Sequence, residues 1–203
     1  MKRRDEIILT ALKMFNESGI HNVGVREIAR SLSISVGNLS YHFPRKEDIV
    51  AEILVHLRAR NTVQYEIFFS GEPTLFAYLT LMRGVFLNQY NFRGVVISPL
   101  DIKKIYQNLF DYEKVEKERK AMQKDIFQRL TKAGELTLNE KGSDFMVSFI
   151  SLFSRFWIQE AFLSYENLSR EAVVEKYLWT LSQQLAIFAT PDGMEGIELF
   201  FAE

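Results

Sequence analysis

The chain has no cysteine, only three histidines and almost no net charge, −1 over 203 residues. Without thiols it can build neither a disulfide framework nor a thiolate metal site, which fits a cytoplasmic protein. His21, His42 and His56 all lie in the N-terminal third, so the rest of the chain lacks histidine and cysteine for acid–base or nucleophilic work. There is no phosphate-binding glycine loop and no HExxH or other metal-ligand spacing. An enzyme is therefore not expected, and neither a cofactor nor a metal is called for. The basic start, MKRRDEII, runs into a charge-dotted amphipathic stretch rather than an apolar core, so no signal peptide is expected. The most apolar run, Phe145 to Leu163, is interrupted by Arg155 and Glu160 and reads as a buried helix, not a membrane span. Near-neutral charge also argues against a polybasic binder. Its distribution is uneven: through Arg60 there are ten Lys/Arg against seven Asp/Glu, a balance of +3, which leaves −4 for the remainder. That asymmetry is also within ordinary scatter.

What is present is a chain that is 47% hydrophobic, long enough for one large or two modest domains. It is organised around Ser33 to Phe43, SISVGNLSYHF. Just before it, VREIARSL (Val25 to Leu32) is a short helix whose Ile28, Ala29 and Leu32 share a face. Ile34, Leu39 and Phe43 can cover that face, leaving Ser35, Val36, Asn38, Ser40, Tyr41 and His42 on the other side. Ser35 is a good N-cap for a helix beginning at Val36, and Pro44 stops it after Phe43. This is the pattern of a helix-turn-helix, with a small, polar outer surface suited to base edges and phosphates and Gly37 permitting close backbone approach. Arg4 to Ser18 precedes it as an amphipathic helix with Ile8, Ala11, Leu12 and Phe15 on one face, closed by Gly19. Lys2, Arg3 and Arg4 suit either a DNA contact or a solvated tail.

Residues 5 to 50 resemble the N-terminal domain of the TetR family of bacterial transcriptional regulators. The resemblance is carried by Ala11, Phe15 and Gly19, by Val25-Arg26-Glu27-Ile28-Ala29, by Ser35-Val36-Gly37-Asn38-Leu39, by Tyr41-His42-Phe43 and by Lys46-Glu47-Asp48-Ile49. Three positions depart from the family pattern: Ser33 at the turn glycine, Asn38 where Thr is common, and Ser40 where Tyr is common. A non-glycine at a left-handed position 33 costs on the order of 1 kcal/mol. The resemblance implies an all-α fold, with an N-terminal three-helix helix-turn-helix domain joined by a long helix to a C-terminal helical ligand-binding and dimerisation domain. The expected boundaries are 1–48 for the DNA-binding domain, 46–70 for the connecting helix and 71–203 for the effector domain. It implies a DNA-binding site of Arg26, Ser35, Val36, Gly37, Asn38, Ser40, Tyr41, His42 and Lys46, with Arg26 and Lys46 against the DNA backbone.

Downstream, Thr74 to Tyr90 repeats apolar residues at helical spacing, Asn91 to Pro99 is a connector with a β-like run at Val95 to Ile97, and Leu100 to Phe110 is a further helix. Asp111 to Lys132 is a long charged helix whose Glu113/Lys117 and Glu116/Lys120 spacing reads as a solvated face. Ser143 to Glu166 and Ser169 to Ala189 close the series, the first apolar nearly all round, which suggests burial by a second copy. The expected homodimer interface is Phe149, Phe156, Trp157, Tyr177, Leu181, Leu185 and Phe188. An apolar or aromatic effector would be held by Phe76, Tyr78, Met82, Phe86, Tyr90, Phe110, Phe153 and Arg155. The same aromatic stripe also reads as plain core. Arg155 suits a cross-dimer pair with Glu160, a ligand carboxylate or a snorkelling rim position. The tail from Thr190 to Glu203 is either docked or mobile. Together these imply a ligand-responsive repressor that binds a palindromic double-stranded DNA operator as a homodimer, with no membrane partner. The alternative is a helical adaptor without sequence-specific DNA binding.

Overall fold

The structure is a computed structural model describing residues 3–97, 112–165 and 167–202. The segment expected to be helical from Leu100, with the ligand candidate Phe110, lies outside the described residues. Ten α-helices follow in the described chain: α1 Arg3–Ser18, α2 Val25–Ser31, α3 Val36–His42, α4 Lys46–Ser70, α5 Leu75–Asn91, α6 Arg93–Val96, α7 Tyr112–Lys132, α8 Glu140–Ser164, α9 Arg170–Ala186 and α10 Pro191–Ala202. A short 3₁₀ turn, Ile20–Asn22, links α1 to α2. No strand occurs among the described residues, where one isolated bridge joins Leu136 to Ala189. The all-helical fold is therefore as expected. None of the described helices is long and apolar enough to cross a membrane.

The chain divides into two compact units, Met1–Arg60 with Gln89–Tyr112, and Asn61–Asn88 with Glu113–Glu203. In the first, Ile8, Ala11 and Phe15 of α1 are buried with Ile28 and Ala29 of α2, Leu39 of α3 and Ile49 and Ile53 of α4. The β-like reading of Val95 to Ile97 is corrected. Those residues follow Phe92 into the single turn of α6, where Val95 and Val96 donate backbone hydrogen bonds to the Phe92 carbonyl. Branched side chains favour strands only where a partner strand exists, and here burial of Val95 against the α1 core decides the conformation. Gly94 makes that packing possible: a Cβ there would overlap the Phe15 carbonyl and lie 2.5 Å from the Asn16 nitrogen. Asn16 clasps the same turn, its Nδ2 donating to the Asn91 carbonyl and its Oδ1 accepting from the Gly94 N–H, both at 2.8 Å.

Ser33 has φ +54°, the left-handed conformation anticipated for a turn position lacking its glycine. Ser33→Gly is expected to stabilise the protein by about 0.5–1 kcal/mol, the removed Cβ strain partly offset by a more disordered unfolded chain. Urea unfolding checks this: the midpoint rises while the slope stays constant.

The second unit packs α5, α7, α8, α9 and α10 with the end of α4. Asn139 caps α8 by accepting from the Gly142 N–H at 2.9 Å, which starts that helix three residues before the expected Ser143. Ser169 caps α9 as expected, accepting from the Ala172 N–H at 3.2 Å. The tail is a docked helix. Gly193 of α10 sits so close to the Glu135 carbonyl that a Cβ would overlap it, and the Thr190 N–H donates to that carbonyl at 3.0 Å. Phe200 is buried beneath the Arg83 guanidinium, 3.9 Å from the ring centroid.

Candidate nucleic-acid interface

The first unit builds an exposed, polar α3 on a buried apolar base. At the start of α2, Glu27 accepts from the Gly24 N–H at 3.0 Å, satisfying an otherwise free donor. The chain then reverses at Ser33, and the Ile34 N–H donates back to the Ala29 carbonyl at 3.0 Å. The Ser35 hydroxyl accepts from the Asn38 N–H at 3.1 Å, which starts α3 as expected. Leu39 and Phe43 are fully buried, and the Arg4 guanidinium stands 4.5 Å over the Phe43 ring. With that face committed inward, Gly37 and Asn38 are exposed, Val36 is 40% and Tyr41 84% exposed, and Ser40 and His42 are half-buried. Tyr41 and His42 meet edge to face at 5.3 Å.

Gly37 has no role in the chain's own packing: a Cβ would meet nothing nearer than the Ser35 hydroxyl at 3.9 Å. Glycine inside a helix weakens it by about 0.5–1 kcal/mol relative to alanine, so this one is unexplained by the fold.

Arg26 and Arg30 are exposed on α2, and neither side chain forms a hydrogen bond or ion pair among the described residues. The sequence reading named Arg26 and missed Arg30, which lies one turn further along the same helix. Arg3 and Arg4 are part of α1, with Arg3 bonded to Glu6 at 2.6 Å and Arg4 to Glu52 at 2.7 Å, so neither belongs to a loose tail. Lys46 is half-buried, its ammonium donating to the Ile20 carbonyl at 2.9 Å and the Val23 carbonyl at 3.2 Å. Those carbonyls relieve the unfavourable placement of a cation at a helix N-terminus and tie α4 to the α1–α2 turn. Beside it, Asp48 accepts from the Arg45 backbone N–H at 3.0 Å and from its guanidinium at 2.9 Å. The Arg45 hydrogen bond holds the Asp48 carboxyl below the usual carboxylate range, so this stabilisation is present above the unfolded pKa and is lost as pH falls through the folded one.

The profile for bacterial regulatory proteins, tetR family, matches residues 7–53, the segment that builds α1 to α3 and the start of α4. Over that segment the chain is similar to the TetR family. Among curated TetR-type relatives, the transcriptional repressor KstR2 of Mycolicibacterium smegmatis is 44% identical over 52 residues, 26% of this chain and 25% of the repressor. The probable regulator YttP of Bacillus subtilis is 26% identical over 143 residues, 65% of this chain and 64% of that protein. The chain thus spans about a quarter of the first and under two thirds of the second. A TetR-family regulator from Marinobacter aquaeolei VT8 shares the fold along its length, with TM-score 0.85 at 24% identity, covering 100% of this chain and 98% of the other.

Outside α3, the structure places several of the expected site residues differently. Trp157, Tyr177, Leu181 and Leu185 are buried within the chain's own core. Trp157 stacks on Phe86 at 4.7 Å, and burial pushes the Tyr177 phenol up to about 12. Phe149 and Phe188 are half-buried, and Phe156 alone of the expected set is well exposed. The exposed apolar side chains on α8 and α9 are instead Phe145, Leu152, Phe156, Phe162, Leu163 and Trp179. Of the ligand candidates in the second unit, Phe76 meets Phe200 at 6.0 Å, Tyr78 lies between Phe68 and Phe127, Met82 is buried, and Phe86 contacts Phe153 at 6.0 Å. Tyr90 falls in the first unit, its ring under the Arg93 guanidinium at 5.0 Å. A cavity of about 270 Å³ does exist in that unit, lined by Leu9, Leu12, Lys13, Asn16, Glu17 and Arg93, none of them an expected ligand residue. Arg155 is paired with Glu116 at 2.8 Å. The charged face of α7 is not all solvated: Glu116, Arg119 and Gln123 are turned toward the protein. Their spacing at i, i+3 and i+7, continued by buried Ile126 and Leu130, was a usable signal.

Proposed function

We propose that the chain is a DNA-binding transcriptional regulator, a ligand-responsive repressor that recognises a palindromic operator as a homodimer in the cytoplasm. The observation that carries this reading is the exposed polar face of α3, with Gly37 unexplained by internal packing, standing on a fully buried base. Residues 1–48 form the DNA-binding domain, α4 the connecting helix, and 71–203, apart from Gln89–Tyr112 which group with the first unit, the effector and dimerisation domain. α3 enters the major groove with Asn38, Ser40 and Val36 at base edges, Gly37 and the Ser35 cap giving close backbone approach. Arg26, Tyr41, His42 and Lys46 hold phosphates. Lys46 retains this role because its ammonium has three donors and the two carbonyls use two.

A second copy covers the exposed Leu152, Phe156 and Trp179 on α8 and α9, removing apolar surface that a lone chain leaves in water. The two readers then lie about 34–36 Å apart, one helical turn of DNA. Because α4 has residues in both units, effector binding acts on the reader through it. A coupling of about 1–3 kcal/mol changes operator affinity by roughly 5- to 150-fold.

Selection of random duplex DNA on the purified protein at stated salt tests this reading. The expected product is a palindrome with half-sites one helical turn apart. Asn38→Ala is expected to relax preference at one position of that site, by about 1–3 kcal/mol, while Tyr41→Phe weakens all sequences alike. Recovery of no consensus, with only weak salt-sensitive binding, would instead support an adaptor.

A further inference from the structure

The polar face of α7 contains groups that the fold leaves partly unused. Glu116 is shared by two guanidinium groups, with Arg119 at 2.9 Å and Arg155 at 2.8 Å. One turn on, Gln123 is buried and bridges two phenols, accepting from Tyr78 at 3.3 Å and donating to Tyr65 at 3.2 Å. Two polar atoms near this face are buried with no hydrogen-bond partner among the described residues: Arg119 Nε and Ser151 Oγ. They lie at one level. The ion pairs Glu116–Arg155 and Lys124–Asp144 set α7 and α8 antiparallel in a register that places Ser151 opposite Arg119.

Tyr65 belongs to the same cluster. Its oxygen accepts from Gln123, its O–H has no acceptor among the described residues, and the Arg119 charge opposes the effect of burial on this phenol. Burial is the largest influence on Tyr65 and raises its pKa, keeping it a protonated donor. The face therefore offers a guanidinium N–H and two hydroxyls. Its one carboxylate, Glu116, is already held between cations, so a cationic ligand would find no free acceptor. An uncharged ligand would leave the Arg119 edge without the planar anion that a guanidinium matches best. A single free guanidinium edge suits a monoanion better than a phosphate dianion.

We propose that Arg119, Ser151 and Tyr65 form the polar end of an effector site between α4, α7 and α8, and that its ligand is a small organic carboxylate. This rests on the ligand-responsive reading above and replaces a purely apolar effector with an amphipathic one. The carboxylate oxygens meet Arg119 Nε and the Ser151 hydroxyl, and the body of the ligand lies toward Tyr65. Arg119 is then a binding residue and Arg155 a positioning residue, because Arg155 helps to fix the carboxylate of Glu116, which in turn orients Arg119.

The test uses the full-length protein and matched acid–amide pairs: acetate with acetamide, hexanoate with hexanamide, and benzoate with benzamide. Thermal unfolding and calorimetric binding are measured on the wild type and on Arg119→Gln. At least one acid is expected to raise the melting temperature by about 4 °C or more at saturation while its amide does not. Arg119→Gln is expected to melt close to the ligand-free wild type, because the Arg119 side chain is 30% exposed and Arg155 still pairs with Glu116, and to bind the same acid at least tenfold more weakly. The proposal is overturned if no acid outperforms its amide, if Arg119→Gln binds the acid like the wild type, or if that variant alone melts far below it, which would mark Arg119 as structural. Operator binding is scored separately. Acid binding with no effect on any DNA complex would keep the site and remove the regulator reading; operator binding with no response to any acid would do the reverse.

Discussion

Gly94→Ala is expected to destabilise the protein by on the order of 3 kcal/mol, lowering its melting temperature by about 6–12 °C. The new methyl would overlap the carbonyl of Phe15 and stand 2.5 Å from the nitrogen of Asn16. Both are main-chain atoms of α1, held in place by buried Ile8, Ala11 and Phe15, so no side-chain rotation can make room. The turn of α6 must lift instead. Lifting breaks the two Asn16 bonds, to the Asn91 carbonyl and from the Gly94 N–H, and uncovers Val95, which is fully buried. Unmade buried hydrogen bonds cost about 1–3 kcal/mol each and an exposed valine about 1.5 kcal/mol or more, so each consequence adds in the same direction. Thermal unfolding followed by circular dichroism reads the effect. Asn16→Ala, which removes the bonds without adding volume, should lose less than Gly94→Ala. A Gly94→Ala protein melting within about 2 °C of the wild type would mean that α6 does not rest on α1 as described.

Phe43→Ala is expected to cost about 3–5 kcal/mol and to abolish operator binding, although the Phe43 ring points away from the proposed DNA surface. α3 has seven residues, far too few to be helical alone, so its order depends on what it buries. Its anchors are Leu39 and Phe43, fully buried, with the Arg4 guanidinium stacked on the Phe43 ring. Removing the ring opens a cavity under α3 and deprives Arg4 of its aromatic partner, worth about 0.5–1 kcal/mol. Phe43→Leu keeps most of the volume and is expected to lose no more than about 1.5 kcal/mol and to retain sequence-specific binding. Hydrogen exchange of the α3 amides separates the possibilities: loss of protection in Phe43→Ala confirms disorder of the reader, whereas retained protection with lost binding would place Phe43 at the DNA contact itself.

The elements read correctly from sequence are those governed by nearest neighbours. Ser35 and Ser169 as caps and the buried face of Ile28, Ala29 and Leu39 each depend on residues a few positions apart. The errors were of another kind. Val95 to Ile97 has the composition of a strand but turns helical because Gly94 lets it close on α1, a contact between residues more than seventy positions apart. Trp157, Tyr177, Leu181 and Leu185 looked like surplus apolar surface for a partner, yet α5 and the neighbouring helices absorb them; periodicity reports that a face is buried, not by what.

The sequence by itself determined the all-helical class, the turn and cap chemistry of α2 and α3 and the exposed polar face of α3, because 3.6-residue periodicity, capping and turn conformations are local properties of a chain. Only the tertiary structure decided that the tail docks through Gly193, that the Lys46 ammonium is held by the Ile20 and Val23 carbonyls, and that Glu116, Arg119 and Gln123 face inward. A charged helix reads the same whether its polar stripe meets water or other polar side chains; the difference lies in Tyr65, Tyr78, Ser151 and Arg155, which reach that stripe from three other helices.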